Sequence, residues 1–100
     1  MNDVALPAGA TADNEWELVE ETRHYRIISG RDRHIPDVGF IGTSAVQFDD
    51  GTFDSSKNDG PRIWLGLGGD GISTSQAMQV ACQILEAVYE VRGWIKGADS

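Results

Sequence analysis

The sequence predicts an α+β domain in which an antiparallel sheet of four to five strands packs on one C-terminal α-helix. Three observations predict it. Short runs of alternating apolar residues fill the chain up to residue 67, the pair Asp50-Gly51 marks a hairpin, and one long stretch of helical periodicity follows a capping sequence. One hundred residues, 40% of them hydrophobic, suffice for a single small core. Its expected extent is residues 15–97, after a disordered tail over residues 1–14 that is rich in Ala, Gly, Asp, Asn and Thr and has no period.

Trp16, Leu18 and Val19 open the first strand-like segment, and Tyr25 and Ile27 continue the alternation in the opposite parity. A change of parity requires a turn or bulge around residues 20–23, or two separate strands. Residues 30–37 read as a charged loop in which Pro36 excludes a central strand. Residues 38–48 read as a strand whose core face carries Phe40, Val46 and Phe48, with Gly42 and Ser44 between them. Asp50-Gly51 suits a type I′ turn, and Thr52-Phe53 begins the return. After a polar loop over residues 54–61, Ile63, Leu65 and Leu67 share one strand face and Trp64 takes the other. Trp64, Ile41 and Thr43 are expected on the face of the sheet that the helix leaves uncovered.

Ser73 and Gln76 match the S-x-x-Q capping box, and Gly93 supplies a stop after a helix ending near Arg92. Ala77, Val80, Ala81, Ile84, Leu85, Val88 and Val91 form the expected core face, with Gln79, Gln83, Glu86 and Glu90 opposite. Met78, Cys82, Leu85 and Tyr89 widen the apolar arc to roughly 220°, against the ~100° that docking on one sheet requires. Either Trp94, Ile95 or the Trp16 segment folds over the excess, or it is a second interface: a homodimer contact or a partner's seat.

The formal charge of −8 argues against general binding to a phosphate backbone. Its distribution is uneven. The first 22 residues hold six acids and no base, whereas Arg23, Arg26, Arg31 and Arg33 make up half of the eight basic residues. This segment is either a strand edge and loop answering nearby acids or a small anion or nucleic-acid contact.

Gly66-Leu67-Gly68-Gly69-Asp70-Gly71 matches the dinucleotide fingerprint by letter. Asp70 would meet the pyrophosphate, and the 29 residues after Gly71 leave no room for a second parallel strand. A flexible strand-to-helix connection is the reading that follows. His24 and His34 have no third ligand at metal-binding spacing, Cys82 is expected as a small buried hydrophobe, and Asp49, Asp50 and Asp54 miss the calcium-loop pattern. No residue set points to a cofactor, a metal or catalysis. No apolar run reaches the length of a membrane span, and the N-terminus lacks a signal pattern, so the expectation is a cytoplasmic protein.

Ile72-Ser73-Thr74-Ser75-Gln76-Ala77, continuing through Val80-Ala81 and Leu85-Glu86-Ala87, resembles the terminal helix of small actinobacterial and mycobacteriophage-like proteins of uncharacterised function. Those place several strands before a helix of the form L-[ST]-x-x-Q-A-x-x-L-A-x-x-L-x-E-A. Val80 replaces the usual leucine here, and Ile84 stands where small residues are common. Six arginines against two lysines accord with a high-GC genome. The resemblance implies the fold and a phage or mobile-element setting in a host cytoplasm.

The expected function is a small, non-enzymatic protein-interaction module that binds a host protein and self-associates. Its contact residues are Met78, Cys82, Leu85, Tyr89 and Trp64. The alternative is nucleic-acid contact through Arg23, Arg26, Arg31 and Arg33.

Overall fold

A computed structural model of the chain describes residues 4–99. The first three residues of the expected tail lie outside it. Six strands form one antiparallel sheet, and one helix covers one of its faces. The strands are β1 (Thr11–Ala12), β2 (Glu17–Glu20), β3 (Arg23–Ser29), β4 (Arg33–Ile35), β5 (Gly39–Phe48) and β6 (Arg62–Leu67), and α1 spans Thr74–Asp99. β5 is the spine: β3 and β4 follow one another along one of its edges, and β6 lies along the other. β1 and β2 share the far side of β3.

Two strands appear where none was expected. In the supposed tail, Ala12 pairs with Ile28, and the Asn14 side chain accepts a hydrogen bond from the Ile27 N–H at 2.7 Å. The carbonyls of Val4 and Ala5 accept from Arg26 and Gln47 at 2.9 and 3.1 Å. In the supposed loop, Arg33–Ile35 pairs with β5 and ends before Pro36. Val38 N–H then donates to the Ile35 carbonyl, and Asp37 takes a φ of 62°, which gives a turn of type II character. The parity change after Leu18 resolves into two strands with a bulge between Leu18 and Glu20.

The core runs along the interface between α1 and the odd-numbered residues of β5. Ile28, Ile35, Val38, Ile41 and Ala45 meet Val80, Ala87, Val91 and Trp94. This inverts the face expected for β5. Ile41 and Thr43 face the helix, whereas Phe40, Val46 and Phe48 lie on the uncovered face beside Tyr25 and Ile27. The physical reason is that two polar residues are satisfied internally and can therefore be buried. Thr43, 2% exposed, has its hydroxyl shared between the Gly30 N–H and a Glu90 carboxylate oxygen. Gln47, also 2% exposed, accepts from Arg26 Nε and donates to the Ala5 carbonyl.

The helix begins as expected. Ser73 Oγ accepts from the Gln76 N–H, and Gln76 Oε1 accepts from the Ser73 N–H. It does not stop at Gly93 but continues to Asp99. A glycine inside a helix costs about 1 kcal/mol. Burial of Val91 and Trp94, one on each side of Gly93, outweighs this. Around its axis the buried row of α1 lies roughly 70° from the expected one, at 100° per residue. Ala77, Ala81 and Leu85 are therefore exposed, and Gln83 and Glu90 are half-buried.

The hairpin after β5 uses a different turn from the one expected. Gly51 alone takes positive φ, its N–H donates to the Phe48 carbonyl, and Phe48 N–H donates to the Thr52 carbonyl. This is a type I turn followed by a left-handed glycine. The Asp50 carboxylate stabilises it by accepting from both the N–H and the hydroxyl of Thr52.

Those two hydrogen bonds hold the Asp50 carboxyl below its ordinary value, and Ser56 does the same for Asp54. A depressed carboxyl contributes stability that is complete above the unfolded-state value and is lost as pH falls through the folded-state one. Asp50→Asn keeps an acceptor but removes the titration, so acid unfolding followed by circular dichroism becomes less steep below about pH 4.

Trp94 is buried to 6% exposure, and its Nε1 has no hydrogen-bond partner among the described residues. Trp94→Phe, which removes the unpaired donor, is expected to change stability by less than about 1 kcal/mol. Trp94→Ala, which removes the ring, costs about 3 to 5 kcal/mol in chemical denaturation.

Candidate functional site

Strand alternation separates the four clustered arginines. Arg26 and Arg33 point to the helix side of the sheet and Arg23 to the opposite side. Arg26 lies over the Trp16 ring at 4.4 Å and binds Gln47 and the Val4 carbonyl, and its desolvation lowers its pKa. Arg23 stacks on Phe48 at 3.6 Å. Arg33, with a side chain 10% exposed, pairs with Glu90 at 3.4 Å and lies 3.9 Å from Glu86. Of the four, Arg31 alone is exposed. The segment is contiguous in sequence but does not form one basic surface.

His24 contacts Asp49 both through its backbone N–H (3.0 Å) and through its ring (3.4 Å), and His34 lies tilted against Phe40. Among the described residues, no three His, Cys, Asp or Glu side chains gather as a metal site would need. Gly66-Leu67-Gly68-Gly69-Asp70-Gly71 leaves an antiparallel strand and leads into the capped helix. No described helix is long and apolar enough to cross a membrane.

The expected contact residues on α1 do come together. Met78, Cys82, Leu85 and Tyr89 recur at intervals of four and three residues and form a stripe about 16 Å long at 1.5 Å per residue. Met78 and Tyr89 are each 68% exposed, Leu85 is 55% exposed, and Cys82 is exposed rather than buried. The stripe lies diametrically opposite the buried row of Val80, Ala87, Val91 and Trp94. Trp94 enters the core, so it does not cover the stripe. Beside Met78 and Cys82, a cleft of about 440 Å³ separates the helix from His34, Ile35 and Pro36.

Trp64 belongs to a different surface. It stands on the uncovered sheet face, 55% exposed, with its Nε1 donating to Ser44 Oγ at 2.7 Å. Tyr25, Phe40, Val46 and Phe48 extend that face, and the Phe40 ring fills the space over Gly66. No signal in the sequence distinguishes this face from a core face, because both alternate with a period of two.

Sequence reasoning missed the polar knot beneath α1. Gly30 N–H, Thr43 Oγ1, Glu90 and Arg33 form one connected group. A Cβ at Gly30 would collide with both the Glu90 carboxylate and the Thr43 hydroxyl. In comparisons with known proteins, the chain matches no family model, no curated protein and no solved structure.

The two acids near Arg33 are unequal in burial. Glu90→Gln, which leaves a nearly buried guanidinium poorly compensated, is expected to cost about 2 kcal/mol. Glu86→Gln, at an exposed position, costs less than about 0.5 kcal/mol. Urea titrations of the two variants distinguish these values.

Proposed function

We propose that this chain is a non-enzymatic protein-interaction module whose partner docks along the outer stripe of α1. The observation that supports the reading is the position of Met78, Leu85 and Tyr89. They stand more than half exposed, on the side of the helix that the sheet cannot reach. Large apolar side chains in a continuous exposed row mark contact surfaces, and Met and Tyr suit that role through adaptable shape and mixed polarity. The chain's charge of −8 favours a partner whose docking site has a basic rim. Trp64 and the aromatic sheet face offer a second contact area on the opposite side of the molecule. The setting implied by the helix resemblance, a phage or mobile element, makes the partner a host protein and the compartment the host cytoplasm.

The test is affinity capture from an actinobacterial lysate with nuclease present, comparing the tagged protein with its Tyr89→Asp variant. The expected result is a stoichiometric protein retained by the parent and reduced at least about tenfold for Tyr89→Asp, whose far-UV spectrum is unchanged. A tenfold loss corresponds to about 1.4 kcal/mol of binding energy. Capture that disappears with nuclease, or that is indifferent to Tyr89, overturns the reading. The nuclease-sensitive outcome moves attention to Arg23 and Arg31.

A further inference from the structure

The two outer edges of the sheet are built differently. On one side the edge row is broken into β1, β2 and β4, of two, four and three residues, with a bulge, Glu17 and Arg33 along it. Short, irregular and charged strands resist pairing with another chain. On the other side β6 is six residues long, regular, and uncharged after Arg62 until Asp70. Nothing in its composition blunts it.

Register identifies which backbone groups of β6 are free. Gly68 N–H donates to the Val38 carbonyl, so this is a hydrogen-bonded pair. Antiparallel ladders alternate, and the register continues through Gly66 with Phe40, Trp64 with Gly42 and Arg62 with Ser44. Ile63, Leu65 and Leu67 therefore direct their N–H and C=O groups away from β5. Among the described residues, nothing pairs with that edge.

The side chains beside these groups are also uncovered. Leu65 is 57% and Leu67 41% exposed, on the same sheet face as α1. Ile63 and Ile84 pack on one core cluster, which places the Ile84 flank of the helix toward β6. That flank carries exposed Ala77 and Ala81. An apolar trough thus lies along the free edge, with Leu65 and Leu67 as its floor and the helix as its wall.

We propose that this edge is a self-association site and that its occupant is the β6 strand of a second copy. A two-fold axis through Leu65, perpendicular to the sheet, pairs Leu65 with its own counterpart and Ile63 with Leu67. All three free residues of each strand then enter the new ladder. The same register sets Trp64 opposite Gly66 of the other copy, where the Phe40 ring takes the place of a side chain and gives the indole an aromatic neighbour. It also directs the Arg62 end of one strand toward the Asp70 end of the other. The contact zone itself is uncharged, so two acidic chains meet where repulsion is least. Both helices lie on the same side of the joined sheet, and their Met78–Tyr89 stripes stay free.

The test is the mass in solution by light scattering at about 100 µM, where a contact with a Kd of ~10 µM is mostly formed. The parent protein is expected at twice 10.9 kDa. Leu65→Pro removes an outward N–H that β5 does not use, and proline is tolerated on such an edge. Leu65→Lys leaves the backbone intact but sets two ammonium groups together on the axis. Both variants are expected at the single-chain mass with unchanged far-UV spectra, and Leu65→Lys decides the matter if Leu65→Pro fails to fold. Hydrogen exchange of the Leu65 and Leu67 amides is expected to slow at least tenfold between dilute and concentrated samples. A parent protein of single-chain mass at that concentration overturns the proposal. So does an association that survives both variants, or one abolished by Tyr89→Asp instead. Leu65→Lys leaves the Met78–Tyr89 stripe unaltered, so this proposal and partner capture by the stripe fail separately, whereas an effect of Tyr89→Asp assigns the association to the stripe.

Discussion

Arg33 sits on the helix-facing side of the sheet with its side chain almost wholly covered, and the placement of α1 depends on how that charge is met. A guanidinium in this position requires a carboxylate nearby, because an uncompensated charge away from water costs several kcal/mol. Glu90 provides it, and to do so the helix turns its Glu90 side toward β4. The same carboxylate reaches Thr43, whose hydroxyl also receives the Gly30 N–H, so strand, loop and helix meet at one polar point. Gly30 is the residue that makes room for it.

The rotation has consequences at both rims of the helix. It brings Trp94 into the core and leaves Met78, Cys82, Leu85 and Tyr89 pointing away from the sheet. It also leaves Ala77 and Ala81 exposed on the flank of the helix that faces β6. A surface stripe and an edge trough, which look unrelated, are thus two results of one ion pair. One presents side chains to solvent, the other unpaired backbone groups.

Much of this architecture was legible where the relevant partners are close in sequence. Ser73 and Gln76 recognise each other three residues apart, and the alternation of Ile63, Leu65 and Leu67 against Trp64 is preserved in β6. The stripe on α1 was legible too, as an apolar arc too wide for one sheet. What was not legible depends on residues distant in the chain. Thr43 and Gln47 look like solvent-facing positions until Glu90, Arg26 and Ala5 are placed beside them, and reading them so turns β5 inside out. Gly93 looks like a helix stop until the burial of Trp94 is known, and the arginine cluster looks like a patch until pleating divides it.

The carbonyls of Val4 and Ala5 close the hydrogen bonding of Arg26 and Gln47, one of which is a core residue. At positions 4 and 5 these contacts use main-chain oxygens only, so they place almost no demand on which amino acids stand there. Sequence drift there can be extensive while the architecture stays constant. A segment of this kind acts through its backbone and is silent in its letters, and comparison of spellings alone would pass over it.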